Sequence, residues 1–433
     1  EERCTQDRDF RENLDQLCLW VKDPQNLNNR IETRTKVWRV FFPEGVSLFE
    51  DRKNNIEALR EKRVVRITAL NPHQIKDPAN EILFTSNVLL TVPSPTTHID
   101  NLTLHEHLKS RLHEIIREPQ IYWYDHPIQI GVEAEKNEVV YGLKGLDQAV
   151  AFEKEKGSIE KNMKVHCVLS VSVNHAGLHD IARAYLEDVL RREKSIRHLN
   201  VYILTEYDVA TLIGKILYPA VGRYMNVKDA NLLHEIIGVD GDYGRHYTFL
   251  KAISAFWQVF INPDVKGTFK IDLDQVFPQN ELVRETGASA FEHFKTPLWG
   301  AEGLDVNDNP VELGMIAGAL VNEEDMGRSI FTPDVSFPNK NICGNEWIFN
   351  SQLPQALSTE GEMMTRYGES ELNGRDRCIQ RVHVTGGTCG ILVESLRNYR
   401  PFTPTFIGRA EDQAYMLSIL LKEGGRTLRY AHE

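Results

Sequence analysis

The chain has 433 residues, a formal net charge of −12, 41% hydrophobic and 26% charged residues. That composition fits a globular protein with a large core in two or three domains. With no long basic run, a nucleic-acid backbone is excluded as a partner; with no stretch of 18 apolar residues, so is a transmembrane helix.

The N-terminal stretch "EERCTQDRDF" lacks the apolar centre of a secretory leader. Cys4, Cys18, Cys167, Cys343, Cys378 and Cys389 are scattered without metal-knuckle spacing, so reduced thiols and a cytoplasmic setting are expected. Residues 1 to about 155 mix β-rich runs such as "RVVRITAL" and "EILFTSNVLLTVP" with charged helical stretches. They are expected to form an N-terminal α/β domain of unassigned role. "YWYDHPIQIG" is expected to pack against the next domain, and the polar run 151–164 to be a solvated helix or linker.

From 165 the rhythm becomes strand, helix, strand. "VHCVLSVSV" (165–173) is continuously β-prone, as in a strand covered on both faces. After "NHAG", Leu178, Ile181, Ala182, Tyr185, Leu186, Val189 and Leu190 recur at helical spacing. "LNVYILT" (199–205) predicts a second strand followed by Glu206 and Asp208, with helices over 209–219 and 246–260 and a third strand at 267–271. This order predicts a mostly parallel sheet with flanking helices, whose ligands bind outside the strands' carboxyl ends.

Asp272 and Asp274 stand at such an end, in "TFKIDLDQVFPQ". If strand geometry persists, i and i+2 project the same way. Two carboxylates there, with no cation beside them in sequence, raise each other's pKa unless a positive charge lies between them. A divalent cation with oxygen ligands, Mn²⁺ or Mg²⁺, answers that need; a surface turn built on Asp is the plainer alternative.

Further on, Glu411 and Asp412 open a helix with apolar Tyr415, Met416, Ile419 and Leu420, ended by Gly424 and Gly425 before the strand "RTLRYA". "EDQAYMLSILLKEGGRTLRYAHE", the D-x-D about 140 residues earlier, "GDYGRHYTFLKAISAF" before it, and "VHVTGGTCGILVESL" together resemble, in order and spacing, GT-A-fold glycosyltransferases of the family-two type over about 165–433.

The resemblance implies a nucleotide-diphospho-sugar donor, a divalent metal, and a small-molecule, glycan or lipid hydroxyl acceptor. Asp272 and Asp274 would hold the metal, Asp272 also reaching toward the ribose. Asp412 would be the base and Glu411 a holder of acceptor hydroxyls, with their roles interchangeable. His432 would be a third metal ligand, with His383 as rival. Asn174, Glu206, Asp208, Arg245 and Lys251 are candidate donor contacts; Arg409 is a candidate phosphate contact. Gly386 and Gly387 are candidates for close sugar approach or for a turn. Trp299 and Trp347 fall in a long insertion over about 280–380, expected as loops and an acceptor lid, with core packing the commoner role for such aromatics. A homo-oligomer stays open. Two other classes are weighed: a sugar-1-phosphate nucleotidylyltransferase, disfavoured because "SVNHAGLHD" lacks a glycine-rich basic loop, and a non-catalytic nucleotide-sugar-binding protein.

Overall fold

The computed structural model describes residues 8–42, 46, 51–121, 127–226, 229, 231–239, 246–332, 344, 357–368, 371–382, 387–399, 416 and 427–432, with only the backbone at 427, 428 and 432. Among the described residues eleven strands form one sheet: β1 (Val64–Ala69), β2 (Ile82–Thr91), β3 (Ile128–Gln129), β4 (Val165–Val173), β5 (Leu199–Thr205), β6 (Gly267–Ile271), β7 (Glu302–Leu304), β8 (Pro310–Ala317), β9 (Arg377–Ile379), β10 (Thr388–Leu392) and β11 (Thr427–His432). The pairings trace the path β5-β4-β2-β6-β10-β8-β11, in which β10 alone runs against the others. A second ribbon, β8-β7-β1-β9, is antiparallel throughout. The protein is therefore α/β with a mixed sheet, parallel along most of the first path.

The sheet runs across the boundary expected near residue 155. β2, from the N-terminal segment, lies between β4 and β6. "VHCVLSVSV" is thus the second strand of the parallel set, and β2 is its hub. Of the two readings of 151–164, the helix is what its first part forms, with Glu155 and Lys156 exposed. Residues 151–156 end a 19-residue helix in which Glu153 is fully buried. The 280–380 insertion is also more than loops, since it supplies β7 and β8 to the sheet.

The helices used below are α1 (Glu106–Ile115), α2 (Glu138–Lys156), α3 (Ala182–Arg192), α4 (Glu206–Leu212), α5 (His246–Phe260), α6 (Gln279–Thr286), α7 (Ala290–His293) and α8 (Val393–Asn398). The pleat sends alternate side chains to opposite faces. Along β2, Phe84, Val88 and Leu90 join a core with α1, α2 and α3, whereas Leu83 joins a second core with α4, α5 and α8. A third, smaller core of Val65, Leu298, Ala301, Val311 and Leu313 lies under the antiparallel ribbon. Covering both faces explains why β4 reads as a continuous β-prone run and why all five residues of β6 are buried.

The first core has an aromatic centre. Phe269 of β6 meets Phe294 with ring centroids 4.6 Å apart, and Phe84 of β2 meets Phe291 at 5.7 Å. Each such ring contributes roughly 1.5–3 kcal/mol on full burial. This cluster pins β6 between β2 and the segment after α6, and so anchors the turn that follows β6. Trp299 belongs to the same core: it is 1% exposed and donates its Nε1–H to the Gly314 carbonyl at 3.2 Å. Its role is packing.

Candidate functional site

The parallel strands place their carboxyl ends on one edge of the sheet. Asn174 follows β4, Glu206 and Asp208 follow β5, Asp272 follows β6, and His432 ends β11, its backbone in register with Ala317 of β8. β2 leads outward on one side to β4 and β5; on its other side it pairs with β6 over Ile82–Thr85 and with the short β3 at Leu90 and Thr91. The gap between β2 and β6 is therefore the topological switch point, where ligands of open α/β sheets bind. Asp272 is the first residue beyond β6 at that gap.

The two aspartates do not continue the strand. β6 stops at Ile271, and the Gln275 N–H donates to the Asp272 carbonyl at 3.1 Å, closing a turn over 272–275. Leu273 is buried, Asp272 half-buried and Asp274 exposed. The shared projection expected from strand alternation is replaced by this turn, because the backbone hydrogen bond reverses the chain. A cation also stands beside the pair. Lys270 Nζ lies 3.8 Å from Asp272 Oδ1, and the Lys270 side chain is only 5% exposed. A buried ammonium is costly without a carboxylate partner, and Asp272 supplies one.

Three glycines shape the turn. The Asp272 N–H donates to the Gly387 carbonyl at 2.8 Å. Gly387 has φ +100°, and a Cβ there would lie 2.4 Å from both Asp272 Oδ2 and Gln275 Nε2. From below, α2 presses on the turn through two glycines one helical turn apart. A Cβ on Gly142 would meet the Leu273 Cα and carbonyl at 2.6 Å, and one on Gly145 would meet Val276 Cγ1 at 2.3 Å. A helix needs small residues where backbone comes this close. The spacing "GLKGLD" in the N-terminal segment was the available sequence signal for this support.

The remaining candidates divide by what holds them. Asn174 is buried, and its Oδ1 accepts from His175 Nδ1 at 2.7 Å; burial pushes the His175 imidazole below its ordinary range. Asp208 is taken up structurally: its carboxylate accepts from the Thr205 N–H at 2.7 Å and the Thr205 hydroxyl at 2.8 Å, and it pairs with Arg183. It caps α4, which leaves it poorly suited to a nucleotide contact. Glu206 accepts from the Val239 N–H at 2.9 Å. Lys251 donates to the Arg397 carbonyl at 3.1 Å, on the helix that leaves β10 beside the amino end of β6. Its ammonium therefore serves the α5–α8 contact. Arg245, His383, Gly386, Arg409, Glu411, Asp412 and Trp347 lie outside the described residues. Met416, four residues after Asp412, is fully buried in the second core.

Beside the turn opens a cavity of about 290 Å³. Asp274, Gln275 and Thr388 contribute polar groups to it, and Phe277, Phe294, Ile316, Leu320, Met326 and Phe331 much of its apolar wall. Arg381, fully buried, holds the strand end beside it: Nη1 donates to the Ala317 carbonyl and Nη2 to Gly318 at 3.5 Å. Burial pushes that guanidinium down to about 10.

No family model, curated protein or solved structure matches the chain. Among the described residues no group of three or more His, Cys, Asp or Glu side chains is gathered as a metal cluster, and no helix is long and apolar enough to cross a membrane. Cys18, Cys167, Cys378 and Cys389 are free thiols.

Proposed function

We propose that the chain is a metal-dependent glycosyltransferase of the GT-A type, moving a sugar from a nucleotide-diphospho-sugar to a hydroxyl acceptor. The observation that carries this reading is the seat of the acid turn. Asp272 is the first residue past β6 at the switch point beside β2, and Asp274 faces the adjoining cavity. The strand path β5-β4-β2-β6-β10-β8-β11 supports it, since it converges Asn174, Glu206, Asp272 and the backbone of His432 on one edge.

The donor set suits Mg²⁺ or Mn²⁺ held by one or two protein carboxylates, with substrate oxygens completing the shell. The half-buried Asp272 and exposed Asp274 are two such groups on one hydrogen-bonded turn. A cation bound there would supply Lewis-acid neutralisation of the departing diphosphate. Lys270 already partners Asp272, so a divalent cation at this turn would share that carboxylate with the ammonium. Gly387 leaves room for the Asp272 carboxylate and accepts from the Asp272 N–H. Asp412 is proposed as the base that takes the acceptor's proton, with Glu411 beside it holding acceptor hydroxyls.

A nucleotidylyltransferase is disfavoured on the same grounds once the hub strand is known. The loop after β2, "VPSPTTHID" (92–100), contains no glycine, lysine or arginine to cradle a triphosphate. The deciding experiment measures binding and hydrolysis of a panel of nucleotide sugars with Mn²⁺, with Mg²⁺ and with chelator. Metal-dependent turnover of one donor is the expected result. Failure of every donor to bind in the presence of either metal would overturn the reading. Asp412→Asn is expected to keep donor binding and cut transfer sharply.

A further inference from the structure

We propose that the cavity beside Asp274 binds an aliphatic chain carried by the acceptor, so that the acceptor is an amphiphile with its hydroxyl at the acid turn. This rests on the glycosyltransferase reading and adds the substrate class to it.

The switch-point crevice, where a nucleotide would sit, lies between β2 and β6. The cavity lies on the other side of β6: its wall comes from β6, the carboxyl end of β8 and the run 318–331 that follows it, the first residue of β10, the segments around α6 and α7, Tyr141 of α2, and Met363 and Thr365, with no residue of β2, β4 or β5. It is therefore separate from the donor crevice yet shares Asp274 and Gln275 with the acid turn. A ligand in it would meet the sugar's reacting carbon from the side away from the nucleotide.

Small-molecule pockets pair a mostly apolar wall with a few convergent polar groups that set orientation. Here Phe277, Phe294, Ile316, Leu320, Met326 and Phe331 give the apolar wall, while Asp274, Gln275 and Thr388 gather where the acid turn meets β10. Of the other polar liners, Tyr141 and Glu323 are exposed, and the rest are already bonded, as is Thr388, whose hydroxyl donates to the Gly318 carbonyl at 3.3 Å. The His293 ring nitrogen Nε2 is bonded to the Thr286 hydroxyl at 2.8 Å, and the Thr365 hydroxyl donates to the Gly361 carbonyl at 2.7 Å. A glycan acceptor with hydroxyls all round would leave many of them unpaired against this wall, which is costly. A chain with one polar end would not. The volume, about 290 Å³, is near the lower bound of roughly 300 Å³ for drug-sized pockets, enough for one chain and too little for an oligosaccharide.

The test uses the full chain and n-alkyl β-glucosides from methyl to dodecyl, with affinity measured by titration calorimetry. Affinity is expected to rise about fourfold per methylene, equivalent to ~0.8 kcal/mol for each one buried, and to level off once the cavity is full. Ala319→Trp and Val321→Asp, which alter the wall in a loop position after β8, should flatten that dependence while circular dichroism and the melting transition stay as in the parent. Affinity independent of chain length in the parent would overturn the proposal, as would an unchanged length dependence in both folded variants. The two readings fail separately. If donors are turned over but alkyl length has no effect, only the acceptor class is wrong. If length matters but no donor binds, the apolar site stands without the transferase.

Discussion

Asp272 and Gly387 are bound back to back: the amide of the aspartate donates to the glycine carbonyl at 2.8 Å, and the glycine has room for no Cβ against the carboxylate. The contact joins the end of β6 to the start of its antiparallel neighbour β10, so the acid turn depends on residues 115 positions apart (387 − 272).

Gly387→Ala is the direct consequence. With φ +100° and a Cβ placed 2.4 Å from Asp272 Oδ2, the substitution must move the carboxylate or the strand end. A left-handed non-glycine residue costs on the order of 1–3 kcal/mol. The expected outcome is a melting temperature lowered by a few degrees and metal-dependent donor turnover reduced at least tenfold (about 1.4 kcal/mol in barrier). Full activity would show that the Asp272 seat is not used.

Asp274→Ala separates chemistry from stability. The side chain is exposed, so folding stability should shift by less than about 0.5 kcal/mol. Donor turnover in Mn²⁺ should fall by about a hundredfold or more, the scale of losing a transition-state stabilising group. Thermal melts and a donor-hydrolysis assay on the same preparation decide it, and retained turnover rules out a metal role for this carboxylate.

Two helical glycines, Gly142 of α2 and Gly214 in the helical segment Ile213–Leu217, predict a graded response. Gly142→Ala puts a methyl 2.6 Å from the backbone of Leu273, and backbone cannot rotate away as a side chain can. Overpacking of this kind costs typically 1–3 kcal/mol, and the displaced turn should lower donor turnover too. Gly214→Ala has nothing within 4 Å and sits in a helical run, so it should be neutral or stabilise by up to about 1 kcal/mol. Urea unfolding of the two variants tests the contrast.

Acid should loosen the wall of the cavity. Glu292 accepts from the Ser289 N–H at 2.7 Å, capping α7, and from Lys156 at 3.0 Å; the backbone bond first, then the lysine, hold its carboxyl down to about 2 from an ordinary 4.5. A folded-state value below the unfolded one means the folded state binds fewer protons. This stabilisation is thus complete above about pH 4.5 and fades as pH falls toward 2. Glu292→Gln should lower stability near neutral pH and differ progressively less from the parent through that window. Urea titrations across the range measure it; a gap that stays constant with pH would contradict it.

Periodicity alone determined the local elements. β4, β5, β6 and the helix His246–Phe260 are legible to the residue, because each buries a face whose spacing is written along the chain. The same reading put Asp272 and Asp274 at the end of a covered strand. Tertiary structure decided the rest. That β2 is the hub depends on partners 83 and 185 residues away, and neighbours in a sheet leave no mark on local spacing. Lys270 was visible but became a partner of Asp272 only when burial removed its water. The value of Gly142, Gly145 and Gly387 is a through-space distance to another segment's backbone or side chain. Chain order names which groups carry charge; only packing decides which of them come within reach of one another.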